Sequence, residues 1–229
     1  MQIELIGAPA ATVARVTFAA GEMLTAEVGA MIAMSSGLQV ATASKAAGGK
    51  GGILKGLKRM LSGESFFLNT FTATTADQQL IVGPTLIGDV VHHKLTGGSL
   101  IVQKSSWLAS SAGIEIDTSF QGLGAGLFSG ESMFWVKCTG TGDLLLNSFG
   151  AIYPVDVVGG YTVDTGHIVA FEESLKFKIG KAGKSLIGSM LGGEGLVCKF
   201  EGNGKLYCQT HNPPSFGSIL GAQLKPRSS

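Results

Sequence analysis

The stretch GEMLTAEVGAMIAMSSGLQV, residues 21–40, aligns without a gap with GGSLIVQKSSWLASSAGIEI, residues 97–116. A third stretch, GGYTVDTGHIVAFEESLKFK at residues 159–178, matches more weakly and needs a one-residue shift. Self-similarity at regular spacing along a chain is the signature of an internal repeat. The sequence therefore predicts a single triplicated unit made of three tandem pseudo-repeats, at approximately residues 1–90, 91–155 and 156–229.

A glycine and a glutamate follow each stretch at the corresponding place. The three pairs are Gly63-Glu64, Gly130-Glu131 and Gly193-Glu194. Because equivalent positions of a repeat usually serve the fold of the unit, we interpret these glycines as turn residues and these carboxylates as acceptors for turn backbone amides. The functional alternative is a row of three carboxylates along one edge of a ring.

Each glycine–glutamate pair precedes alternating apolar runs, at residues 66–84, 133–150 and 196–212. Alternation predicts β-strands, and the turn chemistry inside each run, such as Gly202-Asn203-Gly204, predicts a hairpin. Both faces of these strands are largely apolar, which indicates sheets covered on both sides. The expected fold class is all-β, with each copy a small β-sandwich or double-stranded β-helix-like unit and one or two short helical turns. Residues 1–20 should form an opening strand pair.

The near-equal numbers of basic and acidic residues exclude a strong electrostatic field around the whole protein. Seventeen basic residues stand against 16 acidic ones, and charged residues make up 14% of the chain, compared with about 25% in typical domains. A neutral balance argues against nucleic acid as a partner, and a low-charge surface favours self-association. Three cysteines cannot all pair within one chain, which favours a reducing compartment and a cytoplasmic location.

A basic turn lies in the first copy. Ile53–Leu61 places its apolar residues on one side at helical spacing, with Lys55, Lys58 and Arg59 on the other and Lys50 close in sequence. These four basic residues are candidates for contact with an anionic membrane or with phosphate groups. The alternative, which we favour, is a short helix that caps the sheet and has a solvated basic face, because so short a helix depends on packing.

No catalytic residue, metal site or cofactor is expected. His92 and His93 are adjacent, so they should point to opposite faces of a strand and cannot share a metal. Cys198 and Cys208 are interpreted as buried small hydrophobic residues. None of the serines lies in a Gly-x-Ser-x-Gly nucleophile elbow.

Several motifs together resemble those of a known family. They are Gly29-Ala30-Met31, the segment GGILKGLKRMLSGES at residues 51–65, Phe149-Gly150 and Gly159-Gly160. The chain resembles a bacterial family of unknown function related to the mitochondrial altered-inheritance-of-mitochondria proteins. That resemblance implies a fold like that of the trp RNA-binding attenuation protein, with three units per chain and a trimer that closes a ring of nine. The mitochondrial relatives are associated with inner-membrane organisation, and no enzymatic activity comes with the family.

Three functions remain open. The leading hypothesis is a non-enzymatic, ring-forming scaffold or adaptor, a homotrimer that presents a surface to a protein partner or an anionic membrane. The first alternative is an RNA-binding ring protein, which rests on fold analogy and is opposed by the neutral charge balance. The second is a cupin-like protein that binds a small ligand.

Overall fold

A computed structural model describes residues 1–9, 11–45, 66–118, 134–181 and 196–224. The strands in these ranges are β1 Gln2–Ile6, β2 Val13–Thr17, β3 Met23–Glu27, β4 Met31–Met34, β5 Gln39–Lys45, β6 Phe66–Thr72, β7 Gln79–Val82, β8 Val90–Gln103, β9 Trp107–Ser111, β10 Ile114–Asp117, β11 Trp135–Asn147, β12 Ile152–Asp164, β13 Ile168–Glu172, β14 Lys176–Lys181 and β15 Leu196–Gln209. Helix α1 spans Pro213–Gly221, and 3-10 turns span Lys104–Ser106 and Thr165–His167. The prediction of an all-β chain is confirmed.

The strands form two sheets. One has four strands in the order β1-β2-β7-β4. The other has eleven, with the path β12-β15-β13-β8-β11-β9-β3-β6-β5, while β10 pairs with β11 and β14 pairs with β15. All pairings between these strands are antiparallel. The predicted opening pair is confirmed, since β1 and β2 lie side by side with Gln2 opposite Thr17.

Three segments of the chain can be compared element by element: the first segment (β2 to β7), the second segment (β8 to β11) and the third segment (β12 to β15). The second and third share one order, which is a long strand, a 3-10 turn, a five-residue strand, a short strand and a second long strand. In both, the second long strand pairs with the other three strands of its segment. In the first segment both long strands are interrupted, as β2 with β3 and β6 with β7.

All three predicted hairpins are wrong, and two of the runs, at residues 133–150 and 196–212, do not reverse at all. Each of these runs forms one continuous strand, β11 and β15. The glycines supply positive φ inside the strand, at Gly140, Gly142 and Gly202. In β11 the ladder to β8 shifts register between Thr139 and Thr141. Positive φ at glycine therefore produces a bulge that bends the strand, rather than a turn that reverses it. At residues 66–84, β6 and β7 are separate strands but pair with other strands, not with each other.

The buried apolar clusters join neighbouring segments. One buried cluster joins the first segment to Leu108, Ala109 and Leu145 of the second. Another joins the third segment to Ile101 and Trp135 of the second. Central strands such as β9 are buried along their whole length, as expected of strands covered on both faces. Neighbouring segments thus share apolar cores as well as backbone ladders.

The connection from β7 to β8 and the connection from β11 to β12 lie against each other in close contact. The carbonyl of Gly150 accepts from the Asp89 amide at 2.9 Å, and the Asp89 carbonyl accepts from the Ser148 amide at 3.1 Å. The buried Asp89 carboxylate accepts from the Thr12 hydroxyl at 3.1 Å and from the Ile152 amide at 3.3 Å. This crossing fixes where each segment begins relative to the previous one.

Gly88→Ala should destabilise the fold, because a Cβ at Gly88 would overlap the carbonyl of Ser148. We expect the free energy of unfolding, measured by urea denaturation, to fall by about 1–3 kcal/mol. Gly180→Ala is the matched control, since a Cβ there meets nothing within 4 Å. It should change stability by no more than about 0.5 kcal/mol. Equal stability of the two variants would contradict a tight crossing at Gly88.

Candidate functional site

The site residues predicted from sequence lie outside the described residues. They are Lys50, Lys55, Lys58, Arg59, Gly63, Glu64, Gly130, Glu131, Gly193 and Glu194. The short basic helical turn expected at Ile53–Leu61 lies in the same undescribed ranges. Contact of the basic residues with a membrane or phosphate, and the fold role of the glycine–glutamate pairs, therefore stay predictions.

Strand β4 presents an exposed, uncharged edge. It pairs with β7 on one side and is the outermost strand of its sheet among the described residues. All four of its side chains are exposed, with Ile32 at 58% and Met34 at 43%. The corresponding strands of the other segments, β9 and β13, each lie between two strands. Hence β4 has one open side where its two counterparts have none.

Strand β12 presents the second open edge. It pairs with β15 over its whole length and ends the path of the eleven-stranded sheet among the described residues. Its exposed apolar side chains include Tyr153, Val158 and Tyr161, with Tyr161 at 45%. The corresponding strands β3 and β8 hold β9 and β13 on that side. Other strands, namely β1, β5, β10 and β14, also pair with a single strand among the described residues. β4 and β12 differ from these because their counterparts in the other segments are paired on both sides, and they lie on the first and third segments.

Edge strands of this kind are templates for further pairing. Their unpaired N–H and C=O groups accept another strand readily, and most monomeric proteins protect long edges with charge, proline or bulges. β4 carries no charge. On β12, Asp164 is already engaged, because it accepts from the Gly166 amide at 2.9 Å and the Asn212 side-chain amide at 3.1 Å. β12 also carries Pro154 and Asp156, and Asp156 accepts from the Lys205 ammonium at 2.6 Å. Proline and charge thus protect the first half of β12, while β4 has neither.

A cleft of about 180 Å³ lies between the segments and contains a half-buried carboxyl group, that of Glu27. Its lining includes Glu27, Ser105, Asn147, Phe149 and Gln209. The two amides serve the fold. With its nitrogen toward the 3-10 turn, Asn147 donates to the Ser105 carbonyl at 2.8 Å. Gln209 accepts from the Phe149 amide and donates to the Gly166 carbonyl, each at 2.8 Å. The side-chain amides of Asn147 and Gln209 are therefore already engaged in hydrogen bonds within the protein.

The pKa of Glu27, which lines this cleft, is shifted far from its ordinary value. Burial raises its pKa to about 7, and the nearby ammonium of Lys104 opposes that rise. Burial also lowers the pKa of Lys104. A carboxyl of this kind can exchange a proton near neutral pH. Among the described residues of the lining, Glu27 is the only acid or base.

The histidines and cysteines are separated in the fold. His92 bonds to Asp143 at 2.8 Å, while His93 lies edge-on to Tyr207. Within the described ranges, no group of three or more His, Cys, Asp or Glu is placed to hold a metal ion. Cys138, Cys198 and Cys208 are free and buried, as expected for the last two. Burial raises the pKa of the Cys138 and Cys198 thiols to about 12.

Helix α1 was missed by the sequence analysis. It begins with Asn212 accepting from the Ser215 amide at 3.2 Å, followed by Pro213 at the first helical position. Asparagine at the N-cap before proline is a recognisable helix-start signal. None of its residues is buried, and Ile219 is 71% exposed. Neither α1 nor any other helix in the described ranges has the length and hydropathy needed to cross a membrane.

Comparisons with known proteins give consistent results. The profile of the family described as mitochondrial biogenesis AIM24 matches residues 3–211. An uncharacterised protein of Streptococcus pyogenes serotype M6 is 32% identical over 174 residues, which cover 75% of this chain and 69% of that protein. The crystal structure of a Streptococcus pyogenes protein superposes with a TM-score of 0.79 at 24% identity, covering 97% of this chain and 99% of that one. The last comparison shows the fold alone.

Glu27→Gln should change how stability depends on pH. Below pH 4.5 the Glu27 carboxyl is protonated in both states, and between pH 4.5 and about 7 it loses its proton first when unfolded. Glu27 therefore lowers the stability of the wild type across that window, by about 1.4 kcal/mol for each unit of pKa difference. Urea denaturation across the window should show that the variant escapes this loss. Glu115→Gln, at an exposed carboxylate, should retain the wild-type profile, and identical profiles for both variants would contradict the raised pKa of Glu27.

Proposed function

Because this chain belongs to the family described as mitochondrial biogenesis AIM24, we propose that it is a non-enzymatic scaffold that assembles into a ring, as a homotrimer. The observation that carries the proposal is the pair of open strand edges, β4 on the first segment and β12 on the third. The surface of the ring presents binding sites to a protein partner. The cytoplasmic location belongs to the same proposal and is supported by the three unpaired cysteines.

The three segments are three copies of one unit in this proposal. Support comes from the order of elements, which is the same in the second and third segments and differs in the first only where the long strands are interrupted. In this proposal each unit is a small sandwich like that of the trp RNA-binding attenuation protein, which is the fold that the family resemblance implies. In such an array each unit contacts its neighbours, and the terminal units need a cap or a partner.

Further copies of the chain can pair with the edge of the first segment and with the edge of the third segment. An interface between different surfaces of identical chains is head-to-tail, and it produces a ring when the rotation between chains closes. The edge of the first segment and the edge of the third segment are two such different surfaces. An RNA-binding ring and a cupin-like ligand site remain the alternatives, and the second gains no metal-binding group of His, Cys, Asp or Glu within the described part of the chain.

Light scattering coupled to size exclusion tests the assembly. The wild type should have a mass about three times 23.5 kDa, and a monomer over the accessible concentration range would overturn the ring. Ile32→Lys places a charge on the open side of β4 and should reduce the assembly to monomer. Ile87→Lys is the matched control, because Ile87 is 77% exposed and lies on neither edge. It should leave the mass unchanged.

Peripheral membrane association is a second candidate. It is favoured by helix α1, which carries no charge and exposes Phe216, Ile219 and Leu220 while Phe216 contacts Phe149 at a ring-centroid distance of 5.2 Å. A helix anchored on one side with exposed apolar residues on the other can rest in the interfacial layer of a bilayer. The predicted basic residues of the first copy would add attraction to anionic lipids.

Flotation with anionic liposomes tests the membrane candidate. The double variant Ile219→Glu/Leu220→Glu should lose most of the wild-type flotation, because two carboxylates oppose insertion of the helix face. Val40→Glu, at an exposed aliphatic residue of β5, should float like the wild type. A wild type that stays with the unbound fraction would rule out membrane binding without affecting the ring.

A further inference from the structure

Strand β14 of the third segment carries lysines along an open edge. Among the described residues it pairs with β15 alone, with Lys176 opposite Glu201 and Lys178 opposite Lys199. Because side chains alternate between the two faces of a strand, these four residues project on the same face. All four are exposed. This surface, which we call the lysine face, therefore combines three ammonium groups with one carboxylate.

Two of these lysines destabilise the strand pair that holds them. Lys178 and Lys199 are directly opposed, and like charges at directly opposed positions of an antiparallel pair repel each other. The Glu201 carboxylate lies 4.0 Å from the Lys178 ammonium, with the two side chains 66% and 80% exposed, so water screens this ion pair. The lysine face therefore keeps a surplus of positive charge that its own carboxylate does not neutralise.

The other two segments have no opposed lysines at the equivalent positions. The one-residue shift that aligns the third stretch with the second places Lys178 on Asp117, which lies opposite Lys137 and forms a pair of opposite charges. In the first segment the gapless match, continued by one residue, gives Ala41, which lies opposite Thr70. The fold of the segment therefore accepts neutral or complementary residues here, and the repulsion is peculiar to the third segment.

The edge of β14 also offers backbone groups to a partner. On the side away from β15, no strand among the described residues pairs with its N–H and C=O groups. A Cβ added at Gly180 would meet nothing within 4 Å, so the described part of the chain leaves this end of the strand uncovered. Extended peptides dock on such edges by adding a strand, and their alternate side chains then provide specificity.

The spacing along β14 matches that of an extended chain. An added strand places every second residue on the lysine face, one opposite Lys176 and one opposite Lys178. Acidic residues at these two positions would bring carboxylates beside the ammonium groups, because opposed Cβ atoms are about 4.5–5.5 Å apart. On the other face of β14, Phe177 and Ile179 are partly buried and pack against the core. The intervening residues of the added strand should therefore be apolar.

We propose that the edge of β14 binds an extended acidic segment of a partner protein by strand addition, with carboxylates opposite Lys176 and Lys178 and apolar residues between them. The inference rests on the proposed scaffold, and it specifies the site and the chemical class of its protein partner. The phosphate groups of RNA or lipid also attract lysines, but they have no N–H groups for the carbonyls of β14. An acidic segment supplies both the charge and the backbone pairing.

Fluorescence anisotropy of a short labelled peptide, in which glutamate and valine alternate, tests the site on the full chain. Saturable binding is expected at low salt, and it should weaken as salt screens the exposed lysines. The lysine double variant, Lys176→Gln/Lys178→Gln, should bind about tenfold more weakly. It should melt no earlier than the wild type, because it removes the repulsion between Lys178 and Lys199.

The matched control is Lys94→Gln/Lys137→Gln, which removes the same two charges from the second segment. Its affinity for the peptide should stay within about twofold of the wild type, because charges away from the site are screened. An equal loss of binding in both double variants would overturn the site on β14, since net charge alone would then explain the binding.

Altered peptides separate strand addition from simple attraction between opposite charges. One alternating peptide is N-methylated at its valines and another at its glutamates. Only one of these two sets of N–H groups can face β14 in an added strand, so one of the two peptides should lose binding. Equal affinity of both methylated peptides and the unmodified peptide would overturn strand addition. A peptide of the same composition, with its glutamates and valines in separate blocks, should bind more weakly than the alternating one.

Other occupants of the edge give different results. An RNA oligonucleotide or an anionic liposome that binds the wild type but not the lysine double variant, while the peptide does not bind, would overturn a protein partner. Light scattering should give the same mass for the lysine double variant and the wild type. A smaller mass for the variant would also overturn the proposal, because the edge would then join copies of this chain.

The failure of this site and the failure of the ring are distinguishable. If the wild type has the mass of a trimer but binds no peptide, the acidic-segment site is wrong and the ring stands. If the wild type is a monomer and binds the peptide in a way that depends on Lys176 and Lys178, the ring is overturned and the site stands.

Discussion

The structure depends on one constraint, which is that every strand of a sheet must pair its backbone on both sides or leave an edge exposed. The three segments satisfy it for one another. β9 pairs on the first segment and β13 on the second, and the buried clusters run across the same joints. A single unit would expose both of its edges and half of each core. Joining the three segments in one chain therefore stabilises them jointly, and it leaves β4 and β12 unpaired on the side where their counterparts are paired, among the described residues.

Glycine gives each long strand the shape that makes these joints possible. In β12 and β15, Gly159 and Gly202 lie directly opposite each other, both with positive φ. The pairing of β12 with β15 continues in register through these two glycines, which take up a backbone conformation that other residues rarely adopt. On the two sides of Gly202, β15 pairs with different strands, with β13 at Leu206–Cys208 and with β14 at Leu196–Glu201.

The sequence predicted the all-β class and the opening strand pair, and its gapless alignment places β3, β4 and β5 on β8, β9 and β10. These features depend on local alternation and on self-similarity, which a sequence contains. The hairpin predictions were wrong because a glycine such as Gly140 or Gly202 fits a turn and a bulge equally well. Which of the two forms depends on pairing partners that are distant in sequence. The open edges could not be predicted either. Met31–Met34 is as apolar as its buried counterpart β9, so only the identity of its neighbours makes it an exposed strand. From residue type we instead predicted sites at the basic turn and at the glycine–glutamate pairs, which lie outside the described residues.

In the proposed ring, the number of chains would follow from the rotation between successive units. If the joint between chains repeats the register of the internal joints, it repeats their rotation as well, and a ring closes when a whole number of chains completes one turn. Two of every three joints are then within a chain, where covalent linkage gives a high effective concentration and no association cost. The remaining joint is the one that depends on protein concentration. Its contact is formed by a short, uncharged strand, so salt should affect the assembly little. Assembly of such a ring is controlled at the one joint that the chain does not close for itself.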